Sequence, residues 1–225
     1  MKSPTPLVIN WHLTEACNYR CQYCYAAWNQ APCSRELVHD SGQITALLTE
    51  LYQYFRPGNR TNTLRDQISW STVRLNLAGG EPLLHAAKLP AIVSQARNLG
   101  FEVSIITNGS RLTSELLMQL VPNLTWLGIS VDSSKHGTNR AIGRIGHKGS
   151  LLNQEALADS LQQAKQRNPK LQLKINTVVN QHNHEEDMGG LIHRFAPDKW
   201  KVLRMLPVAN QNLSISDDQF SAFVD

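Results

Sequence analysis

The chain has 225 residues, 41% of them hydrophobic and 18% charged, and its formal net charge is +4. This length is sufficient for one α/β domain with a sizeable core, and no apolar run of the sequence approaches the length of a membrane span. The small positive excess suits a polyanionic small ligand and gives no case for nucleic acid. No signal peptide precedes the first strand and the cysteine usage fits a reducing compartment, so we expect a cytoplasmic protein.

Six segments with strand character alternate with helical segments along the chain. The predicted strands are residues 8–14, 73–78, 102–107, 126–131, 171–179 and 201–208. The predicted helices are residues 40–55, 85–99, 110–120, 151–167 and 185–195, and a further helix begins at residue 217. This alternation predicts a parallel sheet, and crossovers of one hand would curl it into a partial (βα)6 barrel. We expect a single domain over residues 1–225, with its chemistry at the C-terminal ends of the strands.

Three cysteines follow the first strand within eight residues, namely Cys17, Cys21 and Cys24. Thiolates at this spacing are typical ligands of a [4Fe-4S] cluster, and three ligands leave one iron open to bind a small molecule. A structural zinc site is the alternative, but it needs four ligands, usually in two separated pairs, and the sequence has no second pair. His12 precedes the motif by five residues on a strand, and Cys33 follows it in a polar loop, where we interpret it as a bystander.

Two predicted strands carry polar side chains on the face opposite to their apolar residues. These side chains are Arg74 and Asn76 in the second strand and Lys174 and Asn176 in the fifth. Because the apolar faces should pack under helices, the polar faces should point into the barrel lumen. Unpaired cations are costly to bury, so an anionic ligand is implied there, unless these positions lie at a water-filled rim. Lys201, in the last strand, is a further candidate for the same anion.

Several loops at the predicted strand ends suit a cofactor. The second strand runs into Gly79-Gly80-Glu81-Pro82, and glycines allow backbone atoms to approach a ligand amine. The small Ser130 leaves room at the end of the fourth strand, and Arg144 could pair with a carboxylate or phosphate or lie on the surface. We interpret residues 185–187 as the acidic N-terminus of a helix.

The cysteine motif, which is followed by Tyr25, resembles that of the radical S-adenosylmethionine (SAM) enzymes. Longer segments are similar to viperin and its prokaryotic relatives. These segments are residues 17–24, 76–82, 107–110, 129–133, 142–144, 173–180, 185–188 and 200–202. The match extends from about residue 10 to residue 225 and weakens after residue 204.

The resemblance implies roles for the candidate residues. Cys17, Cys21 and Cys24 would hold a [4Fe-4S] cluster whose open iron binds SAM. The residues that it implies for SAM binding are Gly79, Gly80, Glu81, Pro82, Asn108, Ser130 and Arg144. The residues that it implies for the substrate are Arg74, Lys174 and Lys201 at the triphosphate, with Asn76 and Asn176 near the sugar.

The resemblance also implies an activity. Family members dehydrate a ribonucleoside triphosphate (CTP, UTP or GTP) to its 3′-deoxy-3′,4′-didehydro form, an antiviral chain terminator, with electrons from a donor such as flavodoxin or ferredoxin. Vertebrate members have lysine at the position of Arg74 and serine at that of Ala78, and they carry a membrane-binding helix that this sequence lacks. Family chains continue beyond Asp225, so we expect the tail that closes over the nucleotide to be missing. Two alternatives stay open: a radical SAM enzyme acting on a different small molecule or a peptide, and a non-catalytic zinc-binding interaction domain.

Overall fold

The computed structural model describes residues 6–26, 31–208 and 210–225. In this part of the chain six strands form one parallel sheet in the order β1-β2-β3-β4-β5-β6. The strands are β1 (Leu7–His12), β2 (Val73–Ala78), β3 (Glu102–Thr107), β4 (Trp126–Ser130), β5 (Gln172–Val179) and β6 (Lys199–Arg204). Every strand pairs with the next one along the chain, which is the topology of a partial (βα)6 barrel, and the predicted fold class is confirmed.

Seven α-helices accompany the described strands. They are α1 (Ser41–Phe55), α2 (Leu89–Leu99), α3 (Ser114–Leu120), α4 (His136–Ile142), α5 (Gln154–Arg167), α6 (Gly189–Phe195) and α7 (Asp217–Val224). Side-chain caps set several of their N-termini: Asp40 accepts from the Gln43 amide at the start of α1, and Asn153 accepts from the Ala156 amide at the start of α5. None of the described helices is both long and apolar enough to cross a membrane.

Some predicted boundaries are wrong, each for a local reason. Helix α2 begins at Leu89 and not at residue 85, because Pro82–His85 forms a separate 3-10 turn. Strand β6 ends at Arg204 and not at residue 208, because its partner β5 ends at the paired Val179. Helix α4 lies within a glycine-rich segment for which no helix was predicted.

The alternation of side chains on the strands is confirmed. Strand β2 buries Val73, Leu75 and Leu77, and β5 buries Leu173 and Ile175, all within one hydrophobic core shared with the helices. The intervening polar residues of these strands therefore lie on the opposite face, which lines the lumen of the half-barrel. The lumen is the surface on which the candidate site is built.

Candidate active site

The three clustered cysteines lie together at the C-terminal edge of the sheet. Cys17, Cys21 and Cys24 line one cavity of about 600 Å³, which we call the upper cavity. Other residues predicted to bind the cofactor also line it, namely Gly79, Gly80, Asn108, Ser130 and Arg144. Cys33 is exposed and lies outside the group of described residues that line this cavity. The loop after β1 and the ends of β2, β3 and β4 thus meet where the sequence predicted.

The cysteine loop is held in shape by its own arginine and by a distant glycine. The Arg20 guanidinium donates to the carbonyl oxygens of Cys17 and Tyr19, at 2.6 and 2.7 Å. The Arg20 amide donates to the carbonyl of Gly143, whose φ is +86°. A Cβ atom at Gly143 would lie 2.1 Å from the Arg20 carbonyl oxygen, so only glycine allows this loop to dock after α4.

The two glycines after β2 dock the other side of the cysteine loop. The amide of Gly80 donates to the carbonyl of Thr14 at 2.9 Å, and the amide of Glu81 donates to that of Ala16 at 2.7 Å. A Cβ atom at Gly80 would lie 1.9 Å from the Ala16 carbonyl oxygen. The structure therefore assigns Gly80 a packing role against the cysteine loop, in addition to any contact with a ligand.

Glu81 and Pro82 lie behind the wall of the upper cavity. The Glu81 carboxylate is 1% exposed and accepts hydrogen bonds from the amides of Leu83 and Asn108 and from the Thr107 hydroxyl. Burial raises the pKa of Glu81, although these hydrogen bonds oppose the shift. Its visible role is to fix the loop after β3 relative to the loop after β2, while its predicted contact with the cofactor stays a prediction.

Arg144 belongs to a buried polar group at the end of β4. Its guanidinium lies 3.3 Å from the Asp132 carboxylate, donates to the Tyr23 hydroxyl at 3.2 Å, and donates to the Ser130 carbonyl. Tyr23, which lies between the second and third cysteines, also donates to Asp132. Although burial opposes the charge, Asp132 and Tyr23 raise the pKa of Arg144. A surface role for Arg144 is therefore wrong.

Two cysteine thiols are buried enough to change their acidity. Burial raises the pKa of Cys17, and it raises that of Cys21 to about 11. Iron binds the thiolate form, so insertion of a cluster into these sites releases protons. The side-chain nitrogen of Asn108 lies 3.9 Å from the Cys17 sulfur and also donates to Asn18 within the cysteine loop.

A second, smaller cavity of about 240 Å³ lies in the lumen, and we call it the lower cavity. Arg74, Asn76 and Lys174 line it, as predicted for an anion site, and Ile106 lines both cavities. Lys199 also lines it, opposite Lys174 in the β5–β6 register. Sequence reasoning missed Lys199, although it lies two residues before Lys201 and so shares its face of β6.

The cations that line the lower cavity and the neighbouring Lys201 differ in their partners. The Arg74 guanidinium donates to one oxygen of Glu102 through two nitrogens, at 3.1 and 2.8 Å, so the expectation of an unpaired cation was wrong for this residue. Within the described residues, Lys174, Lys199 and Lys201 have no acidic partner. Burial and the charges of these two lysines and Arg74 lower the pKa of Lys174. The lower cavity thus holds an excess of positive charge.

Further polar side chains lie along the lumen face of the sheet. Asn76 donates to Asn10 at 2.8 Å and accepts from Ser104 at 2.8 Å, which satisfies this buried amide. Farther along the sheet, Asn176 on β5 pairs in register with Ser130 on β4 and with Lys201 on β6. Asn176 and Lys201 therefore lie nearer to the upper cavity than Lys174 does.

Comparison with known proteins identifies the family. The chain matches the radical SAM superfamily over residues 11–194. It is 41% identical to the S-adenosylmethionine-dependent nucleotide dehydratase of Pseudoalteromonas ulvae, over 100% of this chain and 72% of that protein. The chain belongs to the S-adenosylmethionine-dependent nucleotide dehydratases of the radical SAM superfamily. A dehydratase of the same name from Psychrobacter lutiphocae is 38% identical over 97% of this chain and 71% of that protein. The predicted resemblance is confirmed.

The fold of this nucleotide dehydratase family member is shared with more distant radical SAM structures. Native anSMEcpe with bound AdoMet superposes with a TM-score of 0.70 at 14% identity, over 98% of this chain and 58% of that chain. Similarity at this level of identity supports the fold and carries no information about the substrate.

The residues of the upper cavity fit the cofactors of the superfamily, a [4Fe-4S] cluster and SAM. Three thiols on one short loop provide the soft ligands that such a cluster requires and leave one iron for SAM. Gly79, Gly80 and Arg144 line the same cavity, and their contacts with SAM stay a prediction. The zinc-binding alternative is disfavoured by this family membership.

Proposed function

We propose that the protein removes water from a ribonucleoside triphosphate and so forms the 3′-deoxy-3′,4′-didehydro nucleotide. The observation that supports this proposal is the lower cavity, which is lined by Lys174 and Lys199, with Lys201 close to Lys174, and these three lysines have no acidic partner among the described residues. A triphosphate supplies the negative charge that this group of cations lacks. The ribose would then lie between the cavities, beside the polar residues of the lumen.

When bound and reduced, the cluster and SAM supply a 5′-deoxyadenosyl radical that takes the C4′ hydrogen of the nucleotide. The remaining dehydration loses the 3′-hydroxyl as water and needs one further electron and one proton. We propose that the electrons come from a small donor protein such as flavodoxin or ferredoxin in a reducing, cytoplasmic compartment. CTP, UTP and GTP are the candidate substrates.

The chain's own residues are proposed to bind and orient the nucleotide. Lys174, Lys199 and Lys201 would hold the phosphates, while Arg74 is positioned beside them by Glu102. Asn76 and Asn176 would lie at the sugar, and fixed side chains there keep one ribose face toward the upper cavity.

The experiment is a direct product assay. The protein is reconstituted anaerobically, reduced, and incubated with SAM and each of the four ribonucleoside triphosphates in turn. We expect one triphosphate to yield a product lighter by one water, together with 5′-deoxyadenosine. The proposal would be overturned if 5′-deoxyadenosine formed and every triphosphate were recovered unchanged.

A further inference from the structure

A group of side chains that could hold a metal ion lies outside both cavities. Glu36, His39 and His85 each present one potential ligand atom, and these atoms all lie within 4.8 Å of one another. None of the three lines the upper or the lower cavity. Two imidazoles and one carboxylate form a donor set typical of zinc, with a fourth position left for water.

The geometry of the group is close to that of a tetrahedral site. The His85 Nε2 atom lies 3.2 Å from the Glu36 Oε2 atom, and the His39 Nε2 atom lies 3.9 Å from the same oxygen. Zinc–ligand distances of about 2.0–2.1 Å place tetrahedral ligands about 3.3 Å apart. The Glu36–His85 pair already has this separation, and a small movement of His39 completes it.

The carboxylate is oriented by hydrogen bonds on its other oxygen. The Glu36 Oε1 atom accepts from the Thr14 hydroxyl at 2.7 Å and from the Glu15 amide at 3.0 Å. The Oε2 atom is therefore left for the two imidazoles. Such outer contacts fix the direction of a metal ligand and strengthen its binding. The side chains of Glu36 and His85 are 11% and 5% exposed, while that of His39 is 37% exposed and gives solvent access.

Lys88 makes a contact that opposes a metal. Its ammonium lies 3.2 Å from the His39 Nδ1 atom and donates to the Val38 carbonyl at 3.0 Å. A neutral imidazole that binds metal through Nε2 carries its proton on Nδ1, so the ammonium must then leave that nitrogen. The Lys88 ammonium can still donate to the Val38 carbonyl. Lys88 therefore competes with a metal ion for His39 and is not itself a ligand.

We propose that Glu36, His39 and His85 bind a divalent transition-metal ion of the Zn²⁺ type. This ion would join the 3-10 turn Leu37–His39 to the 3-10 turn Pro82–His85. Both turns adjoin the loops that form the upper cavity, through Thr14 on one side and Glu81 on the other. The ion would link the two turns with water at its fourth position, and the proposal is independent of the proposed dehydration.

The test is a zinc titration of the full chain with its iron–sulfur cluster already assembled, in competition with a chromophoric chelator. We expect one Zn²⁺ per chain, with affinity lowered at least about tenfold in His39→Ala and in His85→Gln. His193→Ala, which removes an exposed histidine of α6, is the matched control and should bind like the parent. Because His39 is partly exposed, His39→Ala should fold even if His85→Gln does not.

Three further measurements distinguish this site from other zinc sites. X-ray absorption at the zinc edge should show only nitrogen and oxygen neighbours, and Zn²⁺ should raise the thermal unfolding midpoint of the parent but not of His39→Ala. Lys88→Met should bind Zn²⁺ at least as tightly as the parent. Sulfur neighbours, equal affinity in His39→Ala, or loss of binding in Lys88→Met would each overturn the proposal.

Discussion

Lys174 is the residue on which the proposed anion site depends most. It is half-buried among Arg74, Lys199 and Lys201, and no acidic partner for it lies in the described part of the chain. A charge-assisted contact with a phosphate is worth on the order of 1.5–3 kcal/mol. Removing this ammonium should therefore weaken nucleotide binding while leaving the cysteine loop unchanged.

We predict that Lys174→Ala raises the nucleotide dissociation constant roughly ten- to a hundred-fold, since about 1.4 kcal/mol corresponds to a factor of ten. Lys170→Ala is the matched control, because Lys170 is exposed and precedes β5. The measurement is a titration of each triphosphate into both variants and the parent, with SAM binding as a check on folding. Equal affinities for the parent and Lys174→Ala would show that the lower cavity does not bind the phosphates.

The acidity of Lys174 gives a second prediction. In the free protein, burial and neighbouring cations lower the pKa of Lys174 below its ordinary value of 10.5. A bound triphosphate favours the ammonium and raises this pKa, so binding takes up a proton between the two pKa values. Affinity should fall as the pH rises through that alkaline range in the parent. Lys174→Arg, which stays charged, should show a weaker pH dependence than the parent, and equal pH dependence of the two proteins would contradict the assignment.

Gly80 gives a prediction about the cofactor site. A methyl group there would meet the Ala16 backbone, which cannot move without displacing the cysteine loop. We predict that Gly80→Ala loses iron as well as SAM cleavage, because the ligands of the cluster would be displaced. Gly190→Ala is the control, since a Cβ atom at Gly190 has no neighbour within 4 Å. Iron analysis after reconstitution measures the effect, and parent-like iron content in Gly80→Ala would refute it.

At the scale of elements, the loop between β4 and α4 depends on a carboxylate from a distant segment. Glu186 accepts from the hydroxyls of Ser133 and Ser134 and from the Ser134 amide, at 2.6 to 2.7 Å. The sequence interpretation of residues 185–187 as the acidic N-terminus of a helix holds for Asp187, which accepts from the Gly189 amide at 2.7 Å, and is wrong for Glu186, which lies before α6 and faces another loop. Glu186 instead fixes the loop that carries Asp132, the partner of Arg144.

We predict that Glu186→Gln lowers the free energy of unfolding by about 1–3 kcal/mol, because an amide nitrogen cannot accept the hydrogen bonds of this buried loop. Glu185→Gln, at the exposed neighbouring position, should change it by less than about 0.5 kcal/mol. Urea denaturation of both variants provides the comparison. Equal stabilities of the two variants would show that the loop does not need the carboxylate.

The limits of prediction from the sequence are visible in particular elements. The predicted bounds of β2 and β5 agree with the structure to within one residue, because strict alternation of apolar and polar residues is typical of a half-buried strand. Helix α4 was missed because its glycine-rich segment has no strong apolar period, and its docking through Gly143 depends on residues more than a hundred positions away. Such long-range contacts leave no local signal in one sequence.

At the scale of the whole molecule, the sheet arranges the two cavities one above the other. The upper cavity collects the cysteine loop and the ends of β2 to β4, and the lower cavity collects cations from β2, β5 and β6. Strand alternation predicted which side chains enter the lumen. It could not predict that Glu102 pairs with Arg74, because that pairing depends on the β2–β3 register.

Under the proposed function, the C4′ hydrogen of a bound nucleotide would lie between the lower cavity and the upper cavity. The most direct test uses nucleoside triphosphate labelled with deuterium at C4′, incubated with reduced protein and SAM, and measures the mass of the 5′-deoxyadenosine formed. We predict that one deuterium is transferred from C4′-labelled nucleotide and none from C3′-labelled nucleotide. Unlabelled 5′-deoxyadenosine from the C4′-labelled substrate, formed at the rate of product, would contradict the account.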